Sequence, residues 1–598
     1  MVISWSDRLR NSGAVKEFPP FQLDAEDQRL WRNGQPVTLA PKAFAVLQYL
    51  VDHAGRLVTQ NDLLEAVWAD TFVQPEVLKS QILDIRSALG DDAKNPSFIE
   101  TQPRRGYRFI ATVRESCPTG AVPKSRADLT PAQLTESGSA GSIAVLPLIH
   151  QGSNPDDEYF ADGLADELIT ALSHVPGLKV VARTSSFAFK GLSPDAREIG
   201  RTLKVESVLE GSVRRNKDRL RIHVQLIDTN DGCQLWAQKY ERRIADVFEL
   251  QDEIASGIVD ALKVEIPRAR RPGLARRTSN PQAHELYLKG RFWWHHWSPE
   301  ALRKAAVFFE EAIECDPLYA PPYSGLADCH FLLGYTGYGR PRDLMPRALA
   351  AARKGLEIDP LLAEAHCSLA LIENAWGWDS ARCQAEFLRC LDLNPGYALA
   401  IAKYGTAYLS PLCRFEESFE WISRAVELDP LSPNVHSDLA LNYAYRREYD
   451  RFEREAARVL EMGPGVWKLY WIQIGTRVLR GDRPGALAAC ECALGAAPED
   501  PMLLSSAVWA YARLGEDGRA TELCGRLDRL ASSRYVPFAT LAIAQNGFGN
   551  TDAAFALLER ALEERDPLLR VIRQLPPLHQ LHSDPRYAAL LRKVGLNE

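Results

Sequence analysis

The chain has 598 residues, 46% hydrophobic and 25% charged, which is the composition of a folded water-soluble protein, and length alone sets an expectation of about four domains. No run approaches 18 consecutive apolar residues and the start, "MVISWSDRLRNSG", has no apolar signal core, so a membrane-spanning helix and export are excluded and a cytoplasmic location is expected. Net charge is −7 and pI about 6.0, so any site for an anionic partner has to be local.

The first elements fall between Lys16 and Val113. "FQLDAEDQRLWRNGQPVTLA" alternates in short runs around Asn33 and Gly34, which predicts a small antiparallel sheet with a tight turn. "PKAFAVLQYLVDHAG" opens on Pro41, carries Phe44, Leu47, Leu50 and Val51 at helical spacing and stops at Gly55. A second helix follows Thr59, the expected N-cap, with Asp62 in its first turn. The third is predicted from Pro75 to Leu89, with Leu78, Ile82, Ile85 and Leu89 as its buried stripe. Opposite that stripe lie Glu76, Ser80, Leu83, Asp84 and Ser87, with Lys79 and Arg86 on one flank. A hairpin, "FIETQPRRGYRFI" from Phe98 to Ile110, carries Arg104, Arg105, Tyr107 and Arg108 near its tip. Sheet, three helices and terminal hairpin predict a winged helix-turn-helix, whose third helix enters a major groove while the wing touches backbone phosphate.

"VTQNDLLEAVW", "LKSQILDIRSALGDD" and "FIETQPRRGYRFIA" resemble the OmpR/PhoB-type winged-helix domain, over residues 16–113. The resemblance implies double-stranded DNA as the partner. It implies phosphate contacts for Gln81 and Arg86, and a minor-groove edge for Arg105 and Tyr107. Members often carry arginines where this chain has Glu76, Leu83 and Asp84. Acidic side chains accept from cytosine N4 and Leu83 suits a thymine methyl, so Leu83 and Asp84 are candidates for base contact, and Lys79, Ser80 and Gln81 complete the expected DNA-binding set on this helix with Arg86. From Glu17 to Val113 ten Lys and Arg face thirteen Asp and Glu, net −3, so the cations of the wing are the expected phosphate contacts. Only some 15 residues precede the module, leaving no room for a receiver domain, and control is expected from the C-terminal side.

Residues 114–141, rich in Pro, Ser, Gly and Thr, are expected to be a flexible linker. Membrane-bound relatives of the CadC/ToxR type carry a transmembrane helix in this region, and this chain has no such stretch. From Ser142 the pattern runs strand "SIAVLPL", helix "YFADGLADELITALS", strand "LKVVAR", helix "PDAREIGRTL" and a hairpin, predicting an α/β domain over residues 142–266. "GLADELITAL", "ARTSSFAFKG" and "VLEGSVRR" resemble the TolB-like amino-terminal domain, which implies no catalytic role. "ARTSSF" reads as a structural turn, and His223, on an alternating strand, as a surface residue.

Past Asn280 the endings "IECDP", "LEIDP", "LDLNP", "VELDP", "LEMGP" and "LGAAP" place prolines at 317, 360, 395, 430, 464 and 498, spaced 43, 35, 35, 34 and 34 residues. A period of 34 is that of the tetratricopeptide repeat, with one insertion before Pro360, and Gly405, Tyr408, Ala425 and Pro430 carry its pattern. Repeats are expected over 281–598 as a solenoid with a concave groove for a peptide or protein partner. The same register puts Cys383, Cys390, Cys490 and Cys524 in packing positions; reduced thiols and no metal or cofactor are expected, since Cys490 and Cys492 lack a second ligand pair. The cluster of Trp293, Trp294 and Trp297 with His295 and His296 reads as packing at the solenoid entry.

The expected fold class is therefore multidomain: an N-terminal winged helix (α+β), a central α/β domain and a C-terminal all-α tetratricopeptide-repeat solenoid. The function expected is a DNA-binding, non-enzymatic transcriptional regulator. RNA polymerase or another protein partner would engage the winged helix or the groove, and a small molecule or peptide would act as effector. The alternative is a repeat scaffold whose winged helix docks protein, a reading the acidic third helix supports.

Overall fold

In the computed structural model four short strands, Val15–Phe18 (β1), Phe21–Asp24 (β2), Arg29–Arg32 (β3) and Gln35–Val37 (β4), pair antiparallel in chain order. The structure describes residues 15–116 and 141–596, apart from 19, 25–28, 33–34, 38, 68–74, 93–95, 103–104, 112, 153–157, 176, 217–218, 244–245, 263–277 and 463–467. Arg32 lies opposite Gln35, so two residues join β3 to β4; the expected turn pair Asn33 and Gly34 lies outside the described residues. Three helices follow, Pro41–Asp52 (α1), Gln60–Val67 (α2) and Pro75–Leu89 (α3), with Leu57–Thr59 (β5) ahead of α2. Ile99–Gln102 (β6) and Gly106–Phe109 (β7) complete a second sheet in the order β5-β7-β6.

Leu78, Ile82, Ile85 and Leu89 are buried against α1 and the aromatic cluster of Phe18, Phe21, Phe98 and Phe109. Each such side chain contributes about 1.5–3 kcal/mol of burial, which makes this stripe the main anchor of α3. Thr59 caps α2 reciprocally: its Oγ1 accepts from the Asp62 N–H at 3.2 Å and its own N–H donates to Asp62 Oδ2 at 3.0 Å. Those bonds lower the Asp62 pKa. One boundary differs from expectation. Residues Arg114–Ser116 (β8), read as the start of the linker, pair antiparallel with β1. "Arg-Glu-Ser" has no apolar alternation; backbone bonds to a free sheet edge hold it, and those leave no side-chain pattern.

The second compact unit takes in everything described from Gly141 onward. Its first part contains Gly141–Val145 (β9), Ile149–His150 (β10), Glu158–Ser173 (α4), Leu178–Val180 (β11), Arg183–Phe187 (α5) and Ala196–Leu203 (α6). Ser207–Asn216 (β12), Arg219–Asp228 (β13), Gln234–Arg243 (β14) and Val247–Ala261 (α7) complete it. The sheet order is β11-β9-β12-β13-β14, parallel around β9 and antiparallel from β12 to β14, with β10 also parallel to β12. Alternation along β13 explains the layering: Leu220, Ile222, Val224 and Leu226 are buried under α4 and α7. α6 covers part of the opposite face, at Ala144, Val181 and Val208.

Among the described residues from Pro281 to Glu563 there are eight helix pairs, beginning with Pro281–Trp294 and Pro299–Cys315 and ending with Phe538–Gly547 and Thr551–Glu563. The 43-residue interval falls on the second pair, whose helices Pro321–Tyr335 and Pro341–Ile358 have 15 and 18 residues against 13 and 14 in Pro433–Tyr445 and Tyr449–Met462, with a longer connection between them. Cys383, Cys390 and Cys490 are buried and Cys524 half-buried, as the register predicts. Trp294 is buried at the solenoid entry and Trp297 partly exposed.

The α/β part is bolted to the repeats through the corner residue that precedes the repeat prolines. Asp429 Oδ1 accepts from Ser185 Oγ at 2.6 Å and from the Ser185 N–H at 3.0 Å, while Asn394 Nδ2 donates to Ser173 Oγ at 2.9 Å. "ARTSSF" is thus a short helix whose serine binds the "VELDP" corner. Nearby, Arg291 donates to Asp166 Oδ2 at 2.8 Å, with Arg183 and His295 around the same carboxylate. Burial acts to raise Asp166, but Arg291 and His295 hold it well below the usual carboxylate range. Burial pushes His295 down to about 3, so this imidazole is neutral.

The repeats end before the chain does. Pro567–Gln574 and Pro576–Ser583 are 3-10 turns, followed by Pro585–Lys593, in place of a further helix pair. Pro576 and Pro577 lack the N–H groups an α-helix interior requires. This tail returns to earlier repeats. Arg570, 1% exposed, donates to Asn374 Oδ1 (2.9 and 3.1 Å), Ser380 Oγ (2.9 Å) and the Val594 carbonyl (2.8 Å). Gln574 donates to the Ser410 carbonyl and Asn546 to that of Pro577, both at 2.6 Å. The tail itself covers these positions on the first helices of the repeats.

Candidate nucleic-acid interface

The third helix of the amino-terminal unit presents one buried and one open face. Lys79, Ser80, Leu83 and Asp84 are exposed, and Leu83, at 68%, is a conspicuous apolar side chain to leave in water. Gln81 is half-buried, with Oε1 shielded from solvent and unbonded.

Arg86 has a different environment from the one the resemblance implies. Its Nη2 donates to the Ile99 carbonyl at 2.7 Å and to Thr101 Oγ1 at 2.9 Å, and its Nε lies 3.7 Å from Asp91 Oδ2. Asp91 in turn accepts from the backbone N–H groups of Ser97 (2.6 Å), Phe98 (3.0 Å) and Ile99 (3.0 Å). The pair clamps the end of α3 to the first strand of the hairpin, and so fixes the angle between helix and wing. Sequence reasoning missed Asp91. Its signal is the acid just after the helix-stopping Gly90, where a carboxylate can gather loose N–H groups of the following loop.

The hairpin residues separate in the same way. Tyr107 is buried in the core, and burial raises its phenol pKa. Arg108 donates to Glu100 Oε2 at 3.2 Å across the β6-β7 pair. Arg105 is exposed at the turn, its N–H bonded to the Gln102 carbonyl at 3.0 Å; Arg104 lies outside the described residues. Gly106 is required here: its φ is +150° and a Cβ would stand 2.0 Å from the Val58 carbonyl oxygen. The structure thus leaves one face of α3 and Arg105 exposed. Arg86 and Tyr107 belong to the scaffold beneath them, and Arg108 is paired.

This arrangement is that of a winged-helix DNA-binding module, and comparison with known proteins agrees. Residues 34–109 match the family model described as "Transcriptional regulatory protein, C terminal". Residues 139–257, where the sequence resembles a TolB-like domain, match "HilA/YgeH-like transcriptional regulator, second domain". The chain therefore carries an OmpR/PhoB-type winged helix, a HilA/YgeH-like second domain and a tetratricopeptide-like helical array. Among curated relatives, "Putative adenylate cyclase 3" of Rhizobium meliloti is 36% identical over 38% of this chain and 40% of its own length. "Transcriptional regulator HilA" of Salmonella typhi is 26% identical over 57% of this chain and 58% of its own length. The chain thus spans about half the length of these relatives. The solved DNA-binding domain of E. coli CadC is 26% identical, with 17% of this chain matching 96% of that one and a TM-score of 0.16. Among the described residues, no helix is long and apolar enough to cross a membrane.

Proposed function

We propose that this chain is a DNA-binding transcriptional regulator acting in the cytoplasm, without catalytic activity of its own. The observation that carries the reading is the open face of α3 held at a fixed angle to the wing by the Arg86–Asp91 clamp. Lys79, Ser80, Gln81, Leu83 and Asp84 face the major groove of double-stranded DNA, with Leu83 against a thymine methyl and Asp84 accepting from cytosine N4. Arg105, with Arg104 beside it in sequence, neutralises backbone phosphate. Arg86 acts as a positioning residue. The two matching family models, both describing transcriptional regulators, support a non-enzymatic role over the cyclase name of one relative. The α/β domain and repeats serve as the partner-binding and sensing region, engaging RNA polymerase or another protein under control of a peptide or small-molecule effector. Since the tail and the α/β domain already occupy positions on the repeats, that partner binds elsewhere on the array or displaces them.

The test uses duplex fragments that the full-length chain recovers from genomic DNA. Affinity is measured at several salt concentrations for the wild type and for Arg105→Ala. One lost phosphate contact lowers the slope of log affinity against log salt by about 0.9. An unchanged slope removes the wing from the interface, and failure to recover any duplex removes the whole reading.

A further inference from the structure

Among the described residues, the antiparallel half of the α/β sheet keeps one face exposed beyond the reach of α6, and that face is basic. Cross-strand registers put Arg214, Arg221 and Glu241 in one row and Arg219 beside Arg243 in the next, with Lys239 on the same side of β14. All five cations are exposed, Arg219 and Arg243 at 70% and Arg221 at 65% of their side chains. Glu210 and Glu241 share the face and Asp246 pairs with Arg243 at its edge, so five positive against three negative charges leave it at +2 in a chain of −7. Arg219 and Arg221 lean on Glu241 at 3.7 and 3.5 Å, and Arg243 on Asp246 at 3.3 Å. Pairs this exposed contribute little to the fold and exchange readily for another anion.

We propose that this open sheet face is a second contact with the DNA backbone, independent of base sequence, in the same complex that the winged helix forms. It rests on the DNA-binding reading above. Charge and spacing favour a duplex over other anions. DNA carries a phosphate every 3.4 Å along each strand. Two residues of a β-strand span about 6.8 Å, so Arg219 and Arg221 present two cations side by side to a closely spaced row of phosphates. Across the sheet the strands repeat at about 4.8 Å, which spreads the cations over three adjacent strands. The face inserts no helix or ribbon into a groove, so it adds affinity without reading bases.

The decisive experiment compares the full-length wild type with the triple variant Arg214→Gln, Arg219→Gln, Arg221→Gln on the recovered fragments. Salt slope and hydroxyl-radical footprint are the readouts, with circular dichroism to check the fold. The slope falls by up to about 2.7 if all three arginines touch phosphate, and backbone protection outside the winged-helix site disappears while protection at that site persists. Arg219→Glu alone, at the exposed end of the strand, weakens binding further than Arg219→Gln and serves if the triple variant misfolds. The proposal is overturned if slope and footprint are unchanged in these variants while Arg105→Ala still lowers the slope. If Arg105→Ala also changes nothing, the fault lies in the DNA-binding reading itself. Loss of binding to an acidic protein with DNA binding intact also overturns it.

Discussion

The amino-terminal unit and the repeat array treat their exposed surfaces in opposite ways. In the first, the core is small and the polar clamp of Arg86 and Asp91 lies behind α3, so the helix face and Arg105 stay open to a large external ligand. In the second, the chain binds its own repeats: Ser185 and Ser173 hold the corners that follow two second helices, and Arg570 reaches Asn374. The same chemistry, a largely buried guanidinium hydrogen-bonded to backbone and side-chain oxygens, stands behind an exposed helix face in one region and ties the tail to earlier repeats in the other.

The largest test of that contrast is Arg570→Ala. It removes a buried guanidinium and orphans the Asn374 Oδ1 and Val594 carbonyl acceptors, so the repeat unit loses about 3 kcal/mol. Arg570→Met restores volume but not the bonds, and retains part of the stability. Urea unfolding of the full chain measures both. Equal stability of wild type and alanine variant would mean that the tail is a passive cover, not a structural member.

A pH effect of intermediate size comes from Asp328, on the first helix of the second repeat. Burial raises its carboxyl to about 7 although Ser368 Oγ donates to Oδ1 at 2.6 Å. Its ordinary value is 3.8, so between 3.8 and 7 the native state binds more protons than the unfolded chain. Stability from this group is full below that window and is lost as pH rises through it, by about 2 kcal/mol between pH 5 and 7. Asp328→Asn removes the slope. Urea midpoints of both proteins across that range measure the difference, and parallel curves would place the carboxyl in water, on an open inner surface.

Where sequence was sufficient, a periodic pattern met a single local solution. α3 runs from Pro75 to Leu89 because Leu78, Ile82, Ile85 and Leu89 make one stripe, and Pro317, Pro360, Pro395, Pro430 and Pro498 mark the helix pairs because each follows the C-cap of a second helix; Pro464 lies outside the described residues. Within the site the pattern separated buried from exposed positions on α3 but not the fate of individual arginines. Arg86 and Arg105 are equally cationic in sequence, and only tertiary structure puts Asp91 and the Ile99 carbonyl beside one of them. Contacts between distant segments were illegible for the same reason. Ser185 and Asp429 are 244 residues apart, and nothing periodic links them.

The smallest effect sharpens the comparison by asking whether the two units respond independently. Thr59→Ala removes the acceptor for the Asp62 N–H but leaves the Thr59 N–H bonded to the Asp62 carboxylate, so half of the capping box survives and about 1 kcal/mol is lost. Thr59 pairs with Gly106, which ties the loosened turn to the wing strand. Hydrogen exchange on the full chain should therefore speed about fivefold for amides of β5 and α2, with the helices from Pro281 onward unchanged. The salt slope for DNA should stay as it was, because no phosphate contact is removed. Faster exchange in the repeats would reveal energetic coupling between the units, and effector signals bound far from the wing would then have a route to it.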